Sequence, residues 1–252
     1  MSGHSKWATT KHRKAAVDAK RSAMFSKLSR IITVAAKEGN DPNPDNNASL
    51  AAAIAKAKGY SMPKDKIKTA IDKAFGSGAD AASWEEVTYE GYGPAGIGLY
   101  VECLTDNRNR TAADVRSAFN HSGGNLATSG AVAFQFKRQG QITIDKQHCA
   151  DEDKLFEVIT EAGGDDYEDA GEEWIVWSEP SDLMAVKKGI EDQGVEVKGA
   201  ELVFNANNPT EVTPEDAKKV MRLVDALEDL DDVQSVSHTM DITEEIAAAL
   251  ED

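Results

Sequence analysis

The first twenty-one residues gather Lys6, Lys11, Arg13, Lys14, Lys20 and Arg21 against a single acid, Asp18. Lysine and arginine neutralise phosphates and release condensed counterions, which supplies most sequence-independent affinity for a nucleic acid. Trp7 adds a ring on which an exposed base can stack, and His12 completes the run Lys11-His12-Arg13-Lys14. Placed on a helical wheel, the basic side chains point in all directions. The only large apolar side chains nearby are Trp7 and Val17, so this arm cannot bury a face of its own. It is expected to stay mobile until it meets a polyanion. The blander alternative is a solubilising tail, or a basic surface that pairs with acids of the same chain.

A second constellation is Asp106-Asn107-Arg108-Asn109-Arg110, between a predicted strand and a predicted helix. Arg108 and Arg110 beside open helix amides would make an anion cradle. Asn107 and Asn109 can cap turns or hydrogen-bond base edges. Equally, the two arginines can pair internally with Asp106, Glu102 or Asp114. Lys27 and Arg30 share one arc of an amphipathic helix with Lys20 and Lys37, extending the basic surface. The candidate nucleic-acid-binding residues are therefore Lys6, Trp7, Lys11, His12, Arg13, Lys14, Lys20, Arg21, Lys27, Arg30, Arg108 and Arg110. His121 is read as structural.

Enzyme chemistry finds little support. Gly91-Tyr92-Gly93-Pro94-Ala95-Gly96 matches G-x-G-x-x-G, but a dinucleotide site needs a helix to open at those glycines. Here Ile97-Gly98-Leu99-Tyr100-Val101 follows, a strand pattern, so a glycine-rich hairpin turn is expected. No Gly-x-Ser-x-Gly, Walker loop or His-Glu-x-x-His is present. Asp165-Asp166 and Glu172-Glu173 could be imagined as ligands of a metal-dependent nuclease. In so acidic a segment they read as solvated surface. Cys103 and Cys149 lie in different segments, giving neither a disulfide framework nor a zinc spacing. No catalytic residue, metal or cofactor is expected, and no small-molecule substrate.

The net charge of -16 seems to argue against a nucleic-acid partner, but the charge is partitioned. Residues 1–75 carry +9, residues 76–150 carry -2 and residues 151–252 carry -23. The basic end is drawn to phosphate and the acidic end repelled, so the field orients the approach. The chain contains no run of about 18 apolar residues, and its start has no apolar signal-peptide core. A cytoplasmic protein without a membrane partner is expected.

Residues 1–75 read as helical: Met24, Leu28, Ile31 and Ala35 fall on one face, and Gly39, Gly59 and Gly76 are stops. After a small-residue linker over 76–83, strands are predicted at Val87–Glu90, Ile97–Leu104, Ala131–Lys137 and Gln141–Asp145. A helix over Thr111–Ser122 is capped by Thr111, with Asp114 three residues on. A second α/β pattern follows: helices Glu152–Glu161 and Ser181–Gln193, strands at Tyr167–Glu168, Trp174–Trp177 and Ala200–Phe204. A helix from Thr213-Pro214 and a strand Val233–His238 come last. The fold class is α+β: a helical N-terminal domain, then two ferredoxin-like α/β domains, the second inserted into the first. The expected boundaries are 1–75, then 76–140 joined to 207–240, with 141–206 inserted and 241–252 a frayed acidic tail. The split requires Val233–His238 to pair with Ile97–Leu104.

Several blocks carry a resemblance. They are Gly3-His4-Ser5-Lys6-Trp7, Lys11-His12-Arg13-Lys14-Ala15-Ala16, Asp18-Ala19-Lys20-Arg21, Met62-Pro63-Lys64-Asp65, Tyr89-Glu90-Gly91-Tyr92-Gly93-Pro94, Glu102 through Thr111, and Gly123-Gly124-Asn125-Leu126. In order and spacing they resemble the YebC/PmpR family. Ala127 and Ala131 stand where that pattern has Gly and Ser, and Thr9-Thr10 where it has Asn-Ile. The resemblance implies three domains and a cytoplasmic regulator. Bacterial members are described as probable transcriptional regulators that bind promoter DNA. Relatives that include a mitochondrial translational activator look like ribosome-associated factors that help stalled or proline-rich translation. The partners so implied are DNA or ribosomal RNA, with ribosomal proteins as a further possibility.

Overall fold

The computed structural model describes residues 18–76 and 84–251. The chain divides into two compact units. One combines the helical segment with Arg138–Val203; the other joins Ala81–Lys137 to Phe204–Asp252.

Three helices open the first unit: α1 (Asp18–Glu38), α2 (Ala48–Gly59) and α3 (Lys64–Phe75). Their shared core contains Leu28, Ile32, Ala36, Leu50, Ala57, Ile67 and Ala70. Asn47 ties the turn together. Its side chain accepts from the Leu50 amide at the start of α2 and donates to the Ala35 carbonyl of α1 at 2.9 Å. Capping and linking thus come from one buried residue. The Thr33 hydroxyl donates to the Ala70 carbonyl of α3 at 2.8 Å.

The rest of this unit is a four-stranded sheet with two helices: β4 (Phe136–Asp145), α5 (Glu152–Ala162), β5 (Asp166–Asp169), β6 (Glu173–Ser178), α6 (Leu183–Asp192) and β7 (Gly199–Ala206), in strand order β5-β6-β4-β7. That chain order and strand order are those of a ferredoxin-like βαββαβ unit. Ile142, Ile144, Leu155, Ile159, Val176 and Ile190 fill its core, and Ala55 of α2 joins them. The joint between helix and sheet is close. A Cβ placed on Gly199 would lie 2.4 Å from the Gly59 Cα, a distance no real side chain tolerates. Lys56 and Glu201 pair beside it at 3.0 Å.

The second unit contains β1 (Glu85–Tyr92), β2 (Gly98–Thr105), α4 (Arg108–His121), β3 (Asn125–Leu126), α7 (Pro214–Glu228), β8 (Val233–His238) and α8 (Glu244–Glu251). Its antiparallel sheet has the order β3-β1-β2-β8. The pairing that the split required is present: Leu99 faces His238 and Val101 faces Val236 across a gap of more than a hundred residues. Phe119, Leu99, Val101, Val115, Val220 and Leu223 pack beneath the sheet. The fold is α+β, with an N-terminal helical region and two antiparallel four-stranded sheets.

Four local expectations are corrected. Ala131–Lys137 is not a strand of the first sheet: Ala133–Gln135 is a 3-10 turn, and Phe136–Asp145 runs on as one strand of the other sheet. The strand that completes the first sheet is β1, from the N-terminal side of β2, with the two-residue β3 at the edge. Helix α4 starts at Arg108 under an Asn107 cap, not at Thr111. The tail is not frayed through 241–251, because α8 buries Ile246 and the residue Ile242 before it in the second unit's core. The glycine-rich segment is a hairpin turn, as expected: Gly91 and Tyr92 end β1, and the turn over 93–96 has the Gly93 amide donating to the Ile97 carbonyl at 2.8 Å and Ala95 at a φ of 56°. No helix among the described residues is long and apolar enough to cross a membrane.

Candidate nucleic-acid interface

Of the predicted contact residues, Lys6, Trp7, Lys11, His12, Arg13 and Lys14 lie outside the described residues. Lys20 and Arg21 fall in the first turn of α1, where Arg21 is exposed. Arg30 is half-buried on the same helix. Lys27, expected on the same basic arc, is buried. A basic surface that motif reading passed over lies on α3, where Lys64, Lys66, Lys68 and Lys73 are all exposed. Lys66 also sits over the Phe25 ring of α1 at 5.0 Å, a cation–π contact that seats α3 on α1.

Arg108 and Arg110 are brought to the start of α4, as expected, but neither waits there as an open cradle. The Arg110 guanidinium contacts Asp106 at 2.8 Å and Asp232 at 2.7 Å. Arg108 faces Glu85 at 3.7 Å. Asp232, at the entrance to β8, was not among the partners foreseen. Its Oδ2 also receives the hydroxyls of Thr105 and Thr111, at 3.2 and 2.8 Å. Burial pushes the Asp232 carboxyl up, but hydrogen bonds from Arg110 and Thr111 outweigh it and hold the group below the usual carboxylate range. The bonds to Asp232 and then to Asp106 raise the Arg110 pKa and keep its charge fixed. This knot joins the end of β2, the cap of α4 and the start of β8. Asn107 is engaged as well, its Oδ1 accepting from the Arg110 amide at 3.1 Å. Asn109 is exposed.

Glu90 organises a second loop. Its carboxylate is buried and accepts from the backbone amides of Gly130, Val132 and Ala133 at 2.6, 2.7 and 2.8 Å. Burial pushes this carboxyl up too, and the three amides bring it below its ordinary value. Tyr92 donates its hydroxyl to the Ala131 carbonyl at 2.9 Å. Motif reading missed Glu90 and Asp232 as organising residues because their partners lie forty or more residues away.

Among the acids weighed as metal ligands, Asp165, Asp166 and Glu172 are exposed, but Glu173 is not solvated surface. It is buried and paired with Lys198. Among the described residues, no three His, Cys, Asp or Glu side chains converge as a metal site.

Comparison with known proteins is consistent along the whole chain. Residues 5–77 match the TACO1/YebC protein N-terminal domain, and residues 84–240 match the TACO1/YebC second and third domain. A probable transcriptional regulatory protein of Bifidobacterium animalis subsp. lactis is 49% identical over 252 residues, covering 100% of both chains. One of Rubrobacter xylanophilus is 48% identical over 248 residues, covering 98% of each. The crystal structure of a conserved hypothetical protein, Aq1575 of Aquifex aeolicus, superposes with a TM-score of 0.80 at 41% identity, covering 92% of this chain and 95% of that one. With both domain models matched in order and full-length relatives near half identity, the chain belongs to the TACO1/YebC family.

Proposed function

We propose that this protein is a nucleic-acid-binding regulator of gene expression that engages phosphate through its basic N-terminal segment. The observation that carries the reading is the partition of charge, +9 over residues 1–75 against -23 over residues 151–252. Within the described part, Arg21 of α1 and the four exposed lysines of α3 present that charge on a folded surface. The protein works by binding, in the cytoplasm, without a cofactor or a catalytic step. The names of its relatives, probable transcriptional regulatory proteins, support promoter DNA as the partner.

A specific observation favours a second reading, association with ribosomal RNA. Of the two asparagines suited to base edges, Asn107 caps α4 within the protein, which leaves Asn109, and the cradle arginines Arg108 and Arg110 are paired internally. Phosphate contacts position a protein but carry no sequence information. A folded RNA surface can be recognised by shape and phosphate alone.

One paired experiment tests both. Deleting residues 2–17 spares α1 and removes four basic side chains. The melting temperature should stay the same, and the slope of log K against log salt on duplex DNA should flatten by roughly 3–4. Competition across a promoter panel and sucrose-gradient sedimentation with ribosomes then separate the partners. Discrimination of about 10³-fold or more selects promoter DNA. Preferences below about tenfold together with cosedimentation at low salt select the ribosome. An intact chain that binds neither DNA nor RNA overturns the proposal.

A further inference from the structure

Three large hydrophobic side chains are exposed among the described residues: Phe75, Phe134 and Phe156. Phe75 closes α3, and Phe156 rides α5 among Glu152, Asp153 and Glu157. Phe134 differs from both. It is the most exposed of the three, at 73%, and it projects from the 3-10 turn Ala133–Gln135, not from a helix face.

The backbone around Phe134 is fixed from several directions. Glu90 holds the amides of Gly130, Val132 and Ala133. Tyr92 holds the Ala131 carbonyl. Asn207 donates its side-chain amide to the Phe134 carbonyl at 3.2 Å, and its backbone amide to Gln135 at 2.8 Å. Val132 is fully buried on one side of Phe134 and Phe136 nearly so on the other. An exposed ring on so constrained a backbone loses little entropy when it is covered, which is the property of a binding anchor.

The sequence that carries it is as distinctive. From Val115 to Ile144 the chain contains no Asp or Glu, and from Leu202 to Thr210, around Asn207, again none. In a chain of net charge -16 these are two acid-free stretches joined by hydrogen bonds. Glu90, whose carboxylate reaches the loop, is buried and spent on backbone amides. Thr128 and Ser129, both exposed, add hydroxyls, and exposed Lys137 follows three residues after the ring.

We infer that the loop from Thr128 to Phe134 is a second nucleic-acid contact, in which Phe134 stacks on an unpaired base of an RNA. The inference rests on the nucleic-acid reading above and adds a residue and a ligand state to it. An aromatic ring needs an unstacked base to cover it, and unpaired loops and bulges are where RNA offers one. A loop free of acids adds no repulsion of its own to the phosphates. Hydroxyl side chains in the same loop suit a ribose 2′-hydroxyl, which both donates and accepts. Glu90 is the positioning residue: it fixes the loop and touches no ligand.

The test uses the full chain and three labelled probes: an RNA stem-loop with unpaired bases, the fully paired RNA duplex, and the DNA version of the stem-loop. Phe134→Ala removes only an exposed ring, so an unchanged melting temperature is expected. Affinity for the RNA stem-loop should fall by about 5- to 150-fold, the range of one base–aromatic stack. The salt slope should not move, because no charge is lost. Affinity for the duplex should stay within about twofold of the parent, and Phe134→Trp should restore stem-loop binding. Crosslinking to 5-bromouracil in the loop should map to the peptide that carries Phe134. Wild-type affinity of Phe134→Ala for the stem-loop, in a chain that still responds to deletion of residues 2–17, overturns this inference and leaves the proposed function standing. Equal loss on stem-loop and duplex overturns stacking, and equal loss on the DNA stem-loop overturns the choice of RNA. A change only in self-association or protein capture overturns it as well. Failure of the parent chain to bind any probe removes the proposed function and the inference together.

Discussion

The two α/β units share a sheet architecture but use their carboxylates in opposite ways. In the unit built on β1, β2 and β8, two carboxylates are buried and each gathers chain segments distant in sequence. Asp232 collects Thr105, Arg110 and Thr111, and Glu90 collects the amides of Gly130, Val132 and Ala133. In the inserted unit most acids stand on the surface, as Glu157 and Glu161 of α5 do. Glu173, buried against Lys198, is the exception there. The contrast shows that formal charge is a poor guide to structural weight. A carboxylate with partners in the interior is costly to orphan. A solvated one contributes to the field and little else.

Removing the buried carboxylates should have the largest effect. Glu90→Ala leaves three backbone amides without their acceptor, two of them in or near the interior, and should cost about 2–4 kcal/mol at the typical penalty for orphaned buried donors. Asp232→Ala removes the carboxylate that the Thr105 and Thr111 hydroxyls share, leaving them to each other and to the Asn107 backbone, while Arg110 keeps Asp106 and solvent. Its cost should be about 1–3 kcal/mol. Urea unfolding of each variant measures this. A loss below about 0.5 kcal/mol for both would erase the distinction between the two units.

The same pair makes the molecule acid-sensitive in a stated window. Both carboxyls sit below their ordinary values in the folded state. Each therefore contributes stability that is fully present above the unfolded value near pH 4 and is lost as pH falls through the lower folded value. Stability should be flat from neutrality to about pH 5 and decline below about pH 4. The decline should be shallower in Glu90→Gln, whose side chain does not titrate. A Glu90→Gln chain with the parent's acid slope would place the sensitivity in other carboxyls.

What the sequence disclosed and what it hid follow from the range of the interactions. Val233–His238 was readable to the residue, and Thr213-Pro214 signals the start of α7 from within one turn. Residues 131–137 misled because Val132, Phe134 and Phe136 alternate as a strand would. Glu90, forty residues earlier, draws that backbone into a turn instead. Thr111 and Asp114 imitate a capping box, yet the Thr111 hydroxyl is engaged by Asp232 from far along the chain. The acids of α8 suggested fraying, but Ile242 and Ile246 already carried a helical spacing that buries. On the candidate interface, motif reading singled out the basic arm, most of which lies outside the described residues. It missed the exposed lysines of α3, which form no compact motif, and Phe134, which only exposure distinguishes.

Neutralising surface acids should have the smallest effect on folding and sharpens the comparison from the other side. Glu157 and Glu161 are exposed and stand four residues apart on α5, where like charges repel weakly. Glu157→Gln with Glu161→Gln should leave stability within about 0.5 kcal/mol of the parent, and any change should be a gain. Their contribution to the long-range field is a separate matter. Two fewer negative charges on the acidic body reduce its repulsion of a nucleic acid held by the basic segment. At about 10 mM salt, where screening acts over roughly 30 Å, binding should tighten by a few-fold; at about 0.15 M, where it acts over roughly 8 Å, the gain should vanish. Filter binding at the two salt concentrations, beside urea unfolding, measures both arms. Unchanged unfolding with salt-dependent tightening identifies these acids as sources of field, while a stability loss comparable to that of Glu90→Ala would show that the surface carboxylates also hold the fold.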